Sequence, residues 1–225
     1  MAVNGEEDTR VCKPGDSGSP GEAMGAPSKI KAVIFDIDGV LADSRQAVIT
    51  NTELLMREFG FAVPDGKVEG MSTAHSAESV LIALAPSLAG DAALLEKMLR
   101  RLSELTQENL GLVKPTSLVK SVPLLARKYK LAAATNRKAS ARMVLERLGV
   151  ASCFSAVLTS ADAQPKPSPK MITLCLKRLD VAACEAVFVG DNEEDRQAGN
   201  TAGVKTIMLD GTDVKDCERL LAELL

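Results

Sequence analysis

The 225-residue chain has a single histidine, His75, and no C-x-x-C pair among its five cysteines. With no second histidine, neither a zinc site nor a Ser-His-Asp triad finds support. A catalytic thiol also lacks a base. The cysteines (Cys12, Cys153, Cys175, Cys184 and Cys217) are odd in number and read as free thiols of a reducing cytosol. Cys153, Cys175 and Cys184 lie among apolar neighbours, where cysteine behaves as a small hydrophobe. No apolar stretch approaches the ~20 residues of a membrane span. The net charge of −3 gives no basis for binding nucleic acid or an anionic membrane. Residues 1–29 are rich in Gly, Pro, Ser and Glu, and lack both a secretory apolar core and an Arg-rich transit pattern. They read as a disordered tail, unable to bury enough surface to offset its ordering entropy. The expected location is cytoplasmic.

What is present is a repeating alternation. Short apolar runs at Ala32-Val33-Ile34-Phe35, 131–134, 156–158, 186–189 and 204–208 suit strands buried on both faces of a parallel sheet. The run at 131–134 is the weakest, because three of its residues are alanine, and it reads as a strand from context. Between the runs, apolar spacing of three to four predicts helices over 117–129, 138–148 and 168–179. Gly149 is placed to stop the second of these, and Ser168-Pro169 to start the third. The fold class expected is α/β: a doubly wound, Rossmann-like parallel sheet with ligands bound beyond the carboxyl ends of its strands.

Residues 45–113 interrupt the alternation with helical patterns alone, over about 46–59, 73–85 and 91–109. The expected organisation is a core of residues 30–44 and 114–225 with a helical cap inserted at 45–113. The insertion leaves the sheet after Asp43-Ser44 and returns near Lys114-Pro115, which suits a lid hinged beside the site.

Four segments end apolar runs and carry the chemistry: Asp36-Ile37-Asp38-Gly39-Val40, Thr135-Asn136, Lys166-Pro167, and Gly190-Asp191 through Asp195. Each alone has an ordinary explanation as a turn, helix start or strand exit. Jointly these explanations fail, because clustered aspartates without a cation would repel one another or take up protons. The set suits a magnesium-held phosphoryl group attacked by an aspartate.

In order, the four segments resemble the motifs of the haloacid dehalogenase superfamily, specifically its Asp-x-Asp phosphatases with a helical cap. The stretch Asp-x-Asp-Gly-Val-Leu-x-Asp-Ser is similar to the phosphoglycolate-phosphatase-like branch. The resemblance implies a phosphohydrolase acting on a small phosphorylated metabolite, with Mg²⁺ as cofactor. It implies magnesium ligands in the Asp36 side chain, the Asp38 backbone carbonyl and the Asp191 side chain, with Asp195 supporting the ion's surroundings or orienting Lys166. Asp36 is then the nucleophile, forming an aspartyl-phosphate, and Asp38 the acid and base. The Thr135 hydroxyl and Asn136 N–H would hold phosphoryl oxygens, and Lys166 would stabilise developing charge.

Departures from the family's other branches narrow the reading. Asp38 argues against dehalogenases and phosphonate-cleaving members. The latter use a cap lysine, whereas Lys67 reads as a solvated loop residue. Phosphosugar mutases usually carry a histidine five residues beyond the position of Asp43, and this chain has Val48. A mutase and a non-catalytic binding module remain the alternatives. Arg45 and Arg137 adjoin motif residues, and each is read either as a contact to the substrate's distal anion or as a solvated helix start. Arg100-Arg101 with Glu96 and Glu104 reads as a solvated face of i,i+4 pairs. Asn192 stands where the family often has Ser, a tolerable change.

Overall fold

The computed structural model describes residues 29–64, 66–69, 76–209 and 214–224. Residues 1–28 of the expected tail and His75 lie outside these residues, as does the start of the helix expected from residue 73. The strands β1 (Ala32–Phe35), β2 (Ala42–Asp43), β3 (Lys114–Pro115), β4 (Lys130–Thr135), β5 (Ala156–Thr159), β6 (Ala186–Gly190) and β7 (Lys205–Met208) form two sheets. The main sheet runs β5-β4-β1-β6-β7, and all of its pairings are parallel. The chain moves outward from β1 through β4 to β5, then returns to the other side of β1 for β6 and β7. The crevice of such a sheet lies at that reversal, between β1 and its neighbours.

Side-chain alternation along the strands explains the two buried layers. Val33 and Phe35 join one cluster, Ala32 and Ile34 the other. The first layer includes Val122 and Leu125 of α4 (Val122–Ala126), Val144 and Leu145 of α5 (Ser140–Arg147), and Leu220 of α8 (Val214–Leu224). The second includes Met171, Ile172 and Cys175 of α6 (Lys170–Leu179), and Ala198 of α7 (Glu193–Thr201). The alanine-rich run is therefore a central strand because both faces are covered, whatever its intrinsic preference.

Three local departures have simple causes. The helix expected over 117–129 is a 3₁₀ turn at Ser117–Ser121 followed by the short α4, with Pro123 in the first α-helical turn. Proline removes an N–H, so it is tolerated at a helix start and cannot continue one. Helix α6 begins at Lys170, and Ser168 Oγ accepts only a 3.4 Å bond from its N–H. Cys184 is disulfide-bonded, which corrects the free-thiol expectation for that residue. Cys153 and Cys175 are free.

Between β2 and β3 lie α1 (Arg45–Glu58), α2 (Ala77–Leu84) and α3 (Ala92–Glu108), with their own apolar cluster around Leu55, Met56, Leu81, Leu88 and Met98. Entry and exit are paired: Ala42 faces Pro115 and Asp43 faces Lys114 in an antiparallel ribbon. Arg101 of α3 reaches Glu58 of α1 at 2.8 Å, and Glu104 and Glu108 on its own helix. Arg101 thus keeps a pair along its own helix, at i,i+3 with Glu104, and adds the cross-helix bridge to Glu58. Among the described residues, no helix is long and apolar enough to cross a membrane.

Candidate active site

Asp36 directly follows β1, and its N–H donates to Val189 O at 2.9 Å, so the β1/β6 ladder extends into this residue. The chain then turns sharply, with Leu41 and Ala42 N–H both donating to Ile37 O. The Thr116 hydroxyl secures the turn by donating to Val40 O at 2.6 Å. Gly39 sits in this turn at φ +75°, a left-handed conformation that glycine adopts without steric cost. A Cβ there would lie 1.7 Å from Asp191 Oδ2. The glycine thus admits the second aspartate to the side of the first.

Asp191 leaves the end of β6, and Asp195 follows on the first turn of α7. Asn192 caps that helix: its Oδ1 accepts from Asp195 N–H at 3.1 Å, and Asp195 Oδ2 accepts from Asp191 N–H at 3.1 Å. Asn192 Nδ2 also donates to Asp191 Oδ1 at 3.1 Å. Asparagine therefore orients the neighbouring carboxylate while capping the helix. One oxygen from each of Asp36, Asp191 and Asp195 lies within 4.8 Å of the other two. The Asp38 carboxylate is outside this group.

Lys166 lies beneath the cluster, its side chain only 2% exposed. Its Nζ is 2.9 Å from Asp36 Oδ1 and 2.5 Å from Asp195 Oδ1. Both oxygens are buried, and the ammonium is their charge-assisted hydrogen-bond donor. Asn136, at the end of β4, positions this lysine. The Lys166 N–H donates to Asn136 Oδ1 at 2.8 Å, while Asn136 Nδ2 donates to Lys166 O and to Glu194 Oε2, each at 3.1 Å. Thr135 is buried beside it, its Oγ1 accepting from Arg137 N–H at 3.3 Å.

Charge burial sets the electrostatics. Desolvation pushes the Asp36 carboxyl up to about 8, reinforced by Asp195 and Asp38 and opposed by Lys166. Desolvation and Asp195 raise Asp191 to about 6. Desolvation opposes the charge on Lys166, but the Asp36 and Asp195 carboxylates outweigh it and hold the ammonium above its ordinary range. For Asp38, burial is outweighed by the Arg137 guanidinium and the Ser44 hydroxyl, so its carboxyl lies below the usual range. A site so shaped concentrates negative charge around one buried ammonium and opens at Asp191.

Residues 33–209 match the family of haloacid dehalogenase-like hydrolases. The chain belongs to that family. It is 31% identical to the pyrophosphatase PpaX of Bacillus pumilus over 80% of this chain and 82% of that one. It is 30% identical to a plasmid-borne phosphoglycolate phosphatase of Cupriavidus necator over 79% of this chain and 80% of that one. A third relative, named imidazoleglycerol-phosphate dehydratase in Phytophthora nicotianae, is 30% identical over 78% of this chain, which spans only 42% of its length. Among solved structures, a haloacid dehalogenase-superfamily hydrolase of Geobacter sulfurreducens superposes with a TM-score of 0.67 at 26% identity, covering 87% of this chain and 97% of that one. The parallel core, the hydrolase class and the phosphatase reading stand on these likenesses.

Within this family member, all of the expected site residues converge at one sheet edge, but two have partners the sequence did not disclose. Arg137 turns back onto Asp38, with its Nε 2.6 Å from Oδ2 and its Nη2 2.6 Å from Oδ1. The side chain of Asn136 clamps Lys166 in addition to the role expected of its N–H. Both contacts join residues at least 30 apart in sequence, which no local pattern reveals. Arg45 instead pairs with Asp43 at 3.1 Å and is 71% exposed. Lys67 is exposed, as expected. Val48 stands exposed on α1.

Proposed function

We propose that this chain is a magnesium-dependent phosphomonoester hydrolase of the phosphoglycolate-phosphatase-like branch, working through an aspartyl-phosphate on Asp36. The observation that carries the reading is the meeting of Asp36, Asp191 and Asp195 oxygens within 4.8 Å, over a buried lysine. The cluster fits a hard dication. Three carboxylates converge there on a single ammonium, which leaves an excess of negative charge, and magnesium takes oxygen ligands of this kind. Asp36, Asp191 and the Asp38 carbonyl would hold the ion, with Asp195 close by. When bound, it would neutralise the repulsion between nucleophile and phosphoryl oxygens.

The chain's own residues supply the remaining chemistry. The Asp36 carboxylate attacks phosphorus while the bond to the leaving oxygen breaks, and Asp38 delivers a proton to that oxygen. In the second half, Asp38 takes a proton from water, the resulting hydroxide attacks the phosphorus, and the Asp36 carboxylate is released with inorganic phosphate. Held ionised by Arg137, Asp38 is set for the second half and must take up a proton before the first. Such acid–base work is worth ~10²–10⁴-fold. Thr135 hydroxyl and Asn136 N–H hold phosphoryl oxygens, and Lys166 balances charge developing on them. The helical insertion at 45–113 serves as a lid hinged at the β2/β3 ribbon, and the substrate is a small cytoplasmic phosphorylated metabolite.

The test is release of inorganic phosphate from a panel containing phosphoglycolate, pyrophosphate, sugar phosphates and p-nitrophenyl phosphate, with magnesium and with chelator. Wild type should act only with the metal, and Asp36→Asn should be inert yet folded. Undiminished turnover by Asp36→Asn would end the reading. Phosphosugar isomerisation outpacing phosphate release would favour the mutase instead.

A further inference from the structure

We propose that Arg137 is a positioning residue that sets the orientation of Asp38 and ties it to the hinge of the helical insertion. The inference rests on the acid–base role of Asp38 given above. Four side-chain donations define the arrangement. Arg137 Nε and Nη2 grip the two Asp38 oxygens at 2.6 Å each, Nη2 also reaches Ser44 Oγ at 2.7 Å, and Nη1 reaches Ser140 Oγ at 3.2 Å. Ser44 Oγ in turn donates to Asp38 Oδ1 at 2.5 Å, closing a three-membered ring of side chains.

A guanidinium has five N–H donors, and four are spent inside the protein. Little remains to offer a substrate anion, so the structure favours neither reading first given to this residue. Its side chain is 11% exposed, whereas that of Asp38 is 40% exposed. The arginine is thus packed while the carboxylate faces the opening. The backbone on either side is also fixed: Arg137 N–H donates to Thr135 Oγ1, and Arg137 O accepts from Ser160 N–H at 3.1 Å.

The ring joins three separate parts of the chain. Asp38 belongs to the turn after the nucleophile, Arg137 to the exit of β4, and Ser44 immediately precedes α1, where the chain enters the helical insertion. The bidentate fork restricts Asp38 in both distance and plane, which a single donor cannot do. Acid–base transfer needs that restriction, because the carboxylate must reach the leaving oxygen and later the water from one place. Loss of the fork therefore lowers turnover through Asp38 and leaves substrate affinity nearly intact.

The deciding experiment is a double-mutant cycle on p-nitrophenyl phosphate with magnesium. Arg137→Ala should lower kcat about 10–100-fold with KM changed less than threefold, and Arg137→Lys should fall between it and wild type. In an Asp38→Ala background, Arg137→Ala should cost nothing further. A loss of equal size in that background would overturn the proposal, as would an unchanged kcat or a change confined to KM. A harmless Asp38→Ala would overturn it together with the acid–base reading, whereas a crippling Asp38→Ala beside a harmless Arg137→Ala would overturn it alone. A metal-free readout guards against misfolded variants. The Arg137 Nε–H resonance should exchange slowly with solvent in wild type and rapidly in Asp38→Ala, and fast exchange in wild type would remove the fork on which the proposal stands.

Discussion

Asn136 and Lys166 hold one another by reciprocal bonds, side-chain oxygen to backbone N–H at 2.8 Å and side-chain nitrogen to backbone carbonyl at 3.1 Å. The pairing fixes the stem from which the lysine reaches Asp36 and Asp195. Asn136→Ala should release that stem and lower kcat by about 10–100-fold, since small misplacements of a charged group are costly in a preorganised site. Asn136→Asp keeps the acceptor but loses the donor to Lys166 O, and should recover only part of the loss. Steady-state kinetics on both variants decide the matter; equal activity in wild type and Asn136→Ala would refute it.

The parts of this arrangement that could be read from sequence are those in which one residue type follows one run. Asp36, Thr135 and Asp191 stand at the ends of buried strands, and the parallel sheet delivers them to one edge. Residues 43–44 and 114–115 bracket the helical stretch in the sequence, but the β2/β3 ribbon that pairs them was not legible, because two-residue strands are too short to show a period. What escaped was chemistry between distant positions. Arg137 beside Thr-Asn looks like any solvated helix start until the fold brings Asp38, 99 positions away, against it. Pro123 shows the opposite failure: apolar spacing over 117–129 favoured a long helix, and one missing N–H outweighed it.

Gly39→Ala should uncouple the two acidic segments. The new methyl would sit 1.7 Å from Asp191 Oδ2, on backbone that a β-carbon disfavours. Either Asp191 swings away or the turn after Asp36 shifts, and each outcome spoils the oxygen cluster. Strain of this kind costs about 1–3 kcal/mol. We expect magnesium stabilisation of the fold, followed by thermal melting, to disappear in this variant while the metal-free protein still melts cooperatively. Preserved stabilisation by magnesium would show that Gly39 is not needed for the cluster.

In the helical insertion, Asn109 Nδ2 donates to Asn51 Oδ1 at 2.8 Å, joining α1 to the end of α3. Asn51 is buried. Asn109→Ala leaves its carbonyl unsatisfied, at a cost of about 1–3 kcal/mol. Replacing both partners removes the orphan, so Asn51→Leu/Asn109→Leu should melt above Asn109→Ala. The ordering of the two melting temperatures is the measurement. A double variant no better than the single would mean that the bond contributes little.

The raised carboxyls predict how pH and metal act together. Asp36 is pushed to about 8 and Asp191 to about 6, both above the ordinary value of 3.8, so the metal-free folded state binds more protons than the unfolded chain. Stability from such groups is present below their ordinary range and is lost as pH rises through the folded values. The melting temperature of the metal-free protein should therefore fall between pH 5 and pH 8 in this respect, and Asp36→Asn should flatten the fall. Magnesium favours the ionised carboxylates that burial disfavours, so the melting-temperature gain from a fixed magnesium concentration should grow over the same interval. Far-UV circular dichroism suits the measurement, because the chain has no tryptophan. A gain that is constant, or greater at pH 5 than at pH 8, would mean that these aspartates do not release protons to a cation.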